Sequence, residues 1–113
     1  MLPRQNRLTK KRDFDSVFKN GKGAKEGFLF LKTVPNKLSD SRFAFITSQK
    51  MSKKATVRNK IRRQLREIIK TNIGIIKKGT DCAIVVLPGF NDVSFWDIEK
   101  DMMGLLKKAK LVK

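Results

Sequence analysis

Ala55-Thr56-Val57-Arg58-Asn59-Lys60-Ile61-Arg62-Arg63-Gln64-Leu65-Arg66-Glu67-Ile68-Ile69-Lys70 is the stretch from which the rest of the chain can be read. Val57, Ile61, Leu65 and Ile68 recur at steps of four, four and three, the spacing of one apolar face on a helix. Arg58, Arg62 and Arg66 also step by four, and Asn59, Arg63 and Lys70 widen that cationic stripe on the side away from the core. A helix running to about Thr71 or Asn72 therefore carries two seams. The apolar one needs a sheet to pack on, and the cationic one needs an anion.

The sheet is found on either side of it. Downstream, Asp81-Cys82-Ala83-Ile84-Val85-Val86-Leu87 is a nearly continuous apolar run broken by Pro88-Gly89. That pattern suits a central strand covered on both faces, or one with helices on one face and small residues on the other. Upstream, Phe28 to Val34, closed by Pro35, and Arg42 to Ser48 are strand candidates rich in aromatic and branched residues. The polar loop Asn36 to Ser41 has the length of an antiparallel hairpin connection. Phe28, Phe30, Phe43 and Phe45 would give that hairpin an aromatic-rich face, most of it core. The strands before and after the central helix are expected to be parallel neighbours, for which the general rule is a right-handed crossover.

Farther out, residues 1–8 form a basic, irregular lead-in with Arg4 and Arg7. Thr9 is a candidate N-cap for a helix from about Lys10 to Asn20, stopped by Gly21. Phe14, Val17 and Phe18 share one face of it. Periodicity alone favours core packing for the two rings; a stacking surface for unpaired bases is the alternative. Gly21 to Gly27 reads as a turn or twisted hairpin edge. Gln49 to Lys54 is a basic connector. A lysine run is usually just solvated, but loops between a strand end and a helix start often present side chains to ligands. The last helix starts from Ser94 as N-cap with Asp97 three residues on. Its apolar stripe is Phe95, Ile98, Met102, Leu105, Leu106 and Ala109. Asp97, Glu99 and Asp101 at its start and Lys107, Lys108 and Lys110 at its end match the helix dipole. The whole is one small α+β domain over residues 1–113.

The charge balance points to the anion. Among 113 residues, 27 Lys and Arg face 10 Asp and Glu, a net charge of +17. That self-repulsion destabilises a compact state unless an anionic partner screens it, and a pI near 10.5 is the range of nucleic-acid-binding domains. Between Lys53 and Lys70 the basic residues are Lys53, Lys54, Arg58, Lys60, Arg62, Arg63, Arg66 and Lys70, with Glu67 the only acid. A salt-bridged solvent face lacks partners there, and guanidinium groups suit bidentate phosphate contact. Aromatic strands beside a basic helix favour RNA or a single strand over duplex DNA. No apolar run approaches the roughly 20 residues that span a bilayer. Residues 1–12 lack the pattern of a signal peptide, and a cytoplasmic location is expected. With no His, no Tyr and one Cys, transition-metal sites and Cys–His catalysis have no parts.

The segment Val57-Arg58-Asn59-Lys60-Ile61-Arg62-Arg63-Gln64-Leu65-Arg66-Glu67 resembles the signature helix of the bacterial ribonuclease P protein subunit. Asn6-Arg7-Leu8 and Asp13-Phe14-Asp15-Ser16-Val17-Phe18-Lys19-Asn20-Gly21 resemble that family's first helix and its lead-in. Phe45-Ile46-Thr47-Ser48-Gln49-Lys50 resembles its strand into the connector. The resemblance implies an α-β-β-β-α-β-α fold, similar to a domain of a small-subunit ribosomal protein, with a left-handed β-α-β crossover and an extra strand from about Gly21 to Lys25. It implies the protein component of an endoribonuclease whose catalytic centre lies in an RNA subunit. That particle removes the 5′ leader of precursor tRNA. Arg58, Asn59, Lys60, Arg62, Arg63 and Arg66 would then meet the catalytic RNA, and Phe14, Phe18, Phe30 and Lys50 would line a cleft for the leader. The protein alone would bind no cofactor, and Mg2+ would enter with the RNA. Three positions depart from the family pattern. Lys60 stands where arginine is usual, Ser52-Lys53-Lys54 where a glycine is common, and Gln49-Lys50 where Lys-Lys is more usual.

Two other functions fit the composition. One is a ribosomal or general RNA-binding protein outside any enzymatic complex. The other is a protein-only nuclease, which would need clustered carboxylates for metal ions; Asp13 and Asp15 point to different faces of a helix.

Overall fold

In a computed structural model, which describes residues 2–88 and 95–112, the chain folds in the order α1 (Lys11–Asn20), β1 (Lys22–Glu26), β2 (Leu29–Pro35), β3 (Arg42–Ile46), α2 (Ala55–Asn72), β4 (Thr80–Val86) and α3 (Phe95–Lys108). This is the α-β-β-β-α-β-α order, and the glycine-rich stretch after α1 is a strand. The expected cap Ser94 and the side chain of Phe95 lie outside the described residues.

The strands form one four-stranded sheet in the order β1-β2-β4-β3. β3 and β4 run parallel, with Phe43 beside Cys82 and Phe45 beside Ile84; α2 connects them. The other neighbours are antiparallel. The expected hairpin between β2 and β3 does not form, because β4 lies between them. β4 is the most thoroughly buried strand, so it gains most from a neighbour on each side. The Asn36–Ser41 loop instead crosses two strand spacings, about 10 Å. Asn36 stiffens it by donating to the Asp40 carbonyl at 3.0 Å and to Asp81 Oδ1 at 2.8 Å.

Register assigns the two faces. Leu29, Leu31, Phe43, Cys82, Ile84 and Val86 are buried against Ile61, Leu65, Ile68 and Ile69 of α2 and Ile98, Met102, Leu105 and Leu106 of α3. Val57 does not join this seam. It is 37% exposed in the first turn of α2, while Ile69, near the other end of the helix, is buried in the core with Ile68. Phe30 pairs across with Val85, and Val85 with Ile46, so its ring lies on the opposite face from Phe43 and Phe45. Phe28 sits in the β1–β2 turn, 42% exposed. The expected single aromatic face is therefore split, because alternation along β2 and β3 sends the rings to different sides.

The opposite face carries α1. Val17 is buried with Leu8, Ala44 and Ala83, and Phe14, Val34 and Ile46 flank them. The small side chains of Ala44 and Ala83 let the helix approach. Lys10, not Thr9, is the N-cap, and no side chain caps the helix. At its other end Gly21 is required by space: a Cβ there would lie 2.3 Å from the Val17 carbonyl oxygen and 3.0 Å from that of Thr33.

A charged cluster locks α1 to the sheet. Arg42 donates to both carboxylate oxygens of buried Asp81, at 2.8 and 2.6 Å, and to Asp13 of α1 at 3.2 Å. These groups raise the Arg42 pKa, chiefly through the Asp81 hydrogen bond. The lead-in is fixed by Leu8 N–H donating to the Phe43 carbonyl at 2.9 Å and by buried Asn6 donating to the Ser41 carbonyl at 2.8 Å.

Candidate nucleic-acid interface

The cationic stripe of α2 keeps the order its sequence implies. Ile61, Leu65, Ile68 and Ile69 face the core, while Asn59, Lys60, Arg63 and Lys70 are exposed. Arg58, Arg62 and Arg66 run between, each half-buried. Their guanidinium groups differ in what holds them. Arg58 donates to the Ser52 carbonyl at 2.8 Å. Arg62 donates to the Thr47 hydroxyl at 2.6 Å and to the Asn59 side-chain carbonyl. Arg58 is thereby aimed by the connector, and Arg62 by the residue just past β3 and by its own helix. Arg66 has no hydrogen-bond or ion-pair partner among the described residues. A fixed guanidinium loses less rotamer entropy on meeting a phosphate than a free one.

The second surface lies on the α1 face of the sheet. α1 covers Ala44 and Ala83 and leaves the row Phe30, Val85 and Ile46 half-buried beside it. Phe14 and Phe18, one turn apart, border that row. Phe18 is 39% exposed, and Phe14 is half-buried and packed on the Leu8–Val17 cluster. Phe30 leans over Gly23, whose missing side chain makes room: a Cβ there would stand 3.0 Å from the ring. Lys32 spans the gap from β2 to the end of α1, donating to the Phe18 carbonyl at 2.8 Å. Lys50 is exposed in the turn after β3. The fold thus puts Phe14 and Phe18 of α1 on the same side of the sheet as Phe30, with Lys50 in the turn beyond β3.

The two surfaces meet at the outer edge of β3. A groove of about 300 Å³ there is lined by Leu2, Arg7, Leu8, Thr9, Phe14, Phe43, Ala44, Phe45 and Arg66. Phe14 belongs to the cleft and Arg66 to the cationic stripe, so one depression joins them. The sequence reading missed Thr9 and Thr47 as members of these surfaces. Thr9 had the spacing of a cap, and only the strand order reveals that β3 is an edge.

Among the described residues, no group of three or more His, Cys, Asp or Glu side chains is placed to hold a metal ion, and no helix is long and apolar enough to cross a membrane. Cys82 is buried, and burial first, then the nearby Asp81 charge, pushes its thiol pKa far up.

A family model described as Ribonuclease P matches residues 2–110. The ribonuclease P protein component of Syntrophomonas wolfei subsp. wolfei is 38% identical over 111 residues, covering 98% of this chain and 92% of its own. That of Synechocystis sp. is 42% identical over 112 residues, covering 98% and 90%. Among solved structures, an RNase P protein from Staphylococcus aureus superposes with a TM-score of 0.88 at 27% identity, covering 96% of this chain and 98% of that one. The RNase P protein from Thermotoga maritima in complex with 1-(4-fluorophenyl)-2-thiourea does so with a TM-score of 0.83 at 35% identity, covering 90% and 98%. Superposition this close requires the same hand of the β3-α2-β4 crossover in all of them, and the family resemblance implies that this hand is left.

Proposed function

The chain belongs to the ribonuclease P protein family, and from that premise we propose how its two surfaces divide the work of the particle. Arg58, Asn59, Lys60, Arg62, Arg63 and Arg66 bind the catalytic RNA. Phe14, Phe18, Phe30 and Lys50 bind the 5′ leader of precursor tRNA. The catalytic centre is in the RNA subunit, and Mg2+ is held there through RNA.

The observation that carries this reading is the separation of the surfaces by the sheet. α2 lies on one face and the aromatic cleft on the other, so one protein can hold a folded RNA and a single strand at once. The cleft suits an unpaired strand because rings stack on any base, while Lys50 supplies a cation for the backbone. The α2 stripe suits phosphates held in fixed geometry, because Arg58 and Arg62 are already oriented. The cleft also separates substrate from product. A precursor engages it and a mature tRNA has nothing to place there, so the cleft strengthens substrate binding and empties when the leader leaves.

Phe18→Ala tests the cleft with least disturbance, since that ring is exposed and Phe14 is partly core. Affinity of the assembled particle should fall for precursor tRNA and stay constant for tRNA without a leader. Equal losses for both would refute the leader role.

A further inference from the structure

We infer that the groove at the outer edge of β3 is a subsite for one unpaired nucleotide, gripped by Arg66 and read by Thr9 and the Phe45 backbone; this rests on the ribonuclease P reading above. Three observations converge there. First, Arg66 is half-buried in the groove wall without an acceptor among the described residues, although Arg58 and Arg62 in the same stripe are both tied back to the protein. Its guanidinium nitrogens are open to solvent, so an entering phosphate can take charge-assisted hydrogen bonds from them without displacing a protein acceptor.

Second, β3 is an edge strand whose outer side is covered only in part. The Phe43 carbonyl points outward, since it accepts from Leu8 N–H. Phe45 has the same parity along the strand, so its N–H and C=O also point outward, and they have no backbone partner among the described residues. One donor and one acceptor on a strand edge match the polar edge of a nucleobase. Third, Thr9 lines the groove and does not cap α1, leaving its hydroxyl for a ligand. Phe14 and Leu8 supply an apolar wall on which a base can lie, and Arg7 adds a second cation. The groove volume of about 300 Å³ is at the small end of ligand pockets, the size class of one nucleotide unit.

The nucleotide comes either from the leader, continuing past Phe14, or from an unpaired segment of the catalytic RNA passing α2. The test uses the particle reconstituted with catalytic RNA and precursor tRNA. Cys82 is the chain's single cysteine and is buried, so Thr9→Cys introduces one reactive thiol, to which an azidophenacyl photocrosslinker is attached. A crosslink to an unpaired nucleotide supports the subsite. Its loss with leaderless tRNA assigns the leader as source, and its persistence assigns the catalytic RNA. Arg66→Gln and Thr9→Val should each weaken binding of that RNA, the former about tenfold, the equivalent of one charge-assisted hydrogen bond. A particle that cleaves normally yet gives no crosslink, with both substitutions silent, overturns the subsite alone. A wild-type particle that does not cleave precursor overturns the ribonuclease P reading beneath it.

Discussion

Arg62 donates from its guanidinium to the Thr47 hydroxyl over 2.6 Å, which fixes the middle of α2 to the residue just past β3. The bond aims a cation on one face of the sheet from a strand that borders the cleft on the other. It separates two effects that a charge deletion alone would merge.

Thr47→Val keeps the charge of Arg62 and removes its anchor. Affinity for catalytic RNA should fall modestly, with the salt dependence unchanged. Arg62→Ala should also lower the slope of log affinity against log salt, by roughly 0.7–0.9 for each phosphate that is no longer neutralised. Filter-binding titrations at several salt concentrations separate the two. An unchanged slope in Arg62→Ala would place that side chain away from phosphate.

Asp81 is buried and accepts from both Arg42 and Asn36. Asp81→Ala leaves a half-buried guanidinium with Asp13 alone; because Arg42 keeps that partner and some exposure, the loss should fall below the roughly 3–5 kcal/mol of breaking a fully buried pair. The urea midpoint should drop accordingly. Adding Arg42→Met should recover part of the loss, since the uncompensated charge is then gone.

Gly21 joins α1 to β1 with ordinary backbone angles, φ −76°. Its requirement is steric, because an added Cβ would collide with the Val17 carbonyl oxygen at 2.3 Å. Gly21→Ala should destabilise by about 1–3 kcal/mol, the range of overpacking. The shift also moves the end of α1, so leader affinity should fall with it. Chemical denaturation and leader binding on the same variant check both.

Cys82 gives stability a pH dependence of known sign. The unfolded thiol ionises near its ordinary value of 9.0, while the buried one stays protonated well above it. Above pH 9 the folded state therefore binds more protons than the unfolded state, and stability falls as pH rises. The slope from this group is at most about 1.4 kcal/mol per pH unit. Cys82→Ala should remove that part of the alkaline decline, seen as a smaller stability difference between about pH 8 and pH 10. The native thiol should also resist Ellman's reagent until the protein unfolds.

The parts of this molecule that repeat locally were legible in its sequence. The spacing of Ile61, Leu65 and Ile68 marked the buried face of α2, and the apolar run Cys82 to Val86 marked the central strand. Features set by distant partners were not. The length of the Asn36–Ser41 loop suits a hairpin, yet β4 outcompetes β3 for the side of β2 because it buries more. Arg42, Asp81 and Asp13 carry no local signal that they belong together. Phe30 and Phe43 look equivalent in sequence and face opposite sides, since only strand parity and register decide this. Phe14 and Phe18 share a helix face, but one helps close the core and the other stands at its rim.

The central claim, that this chain completes a particle whose RNA cuts precursor tRNA, is tested most directly by reconstitution. Leader cleavage by the catalytic RNA is measured at low magnesium with and without the protein. The account predicts that adding the protein restores cleavage at the mature 5′ end. RNA binding without any gain in cleavage would contradict it and favour a general RNA-binding protein.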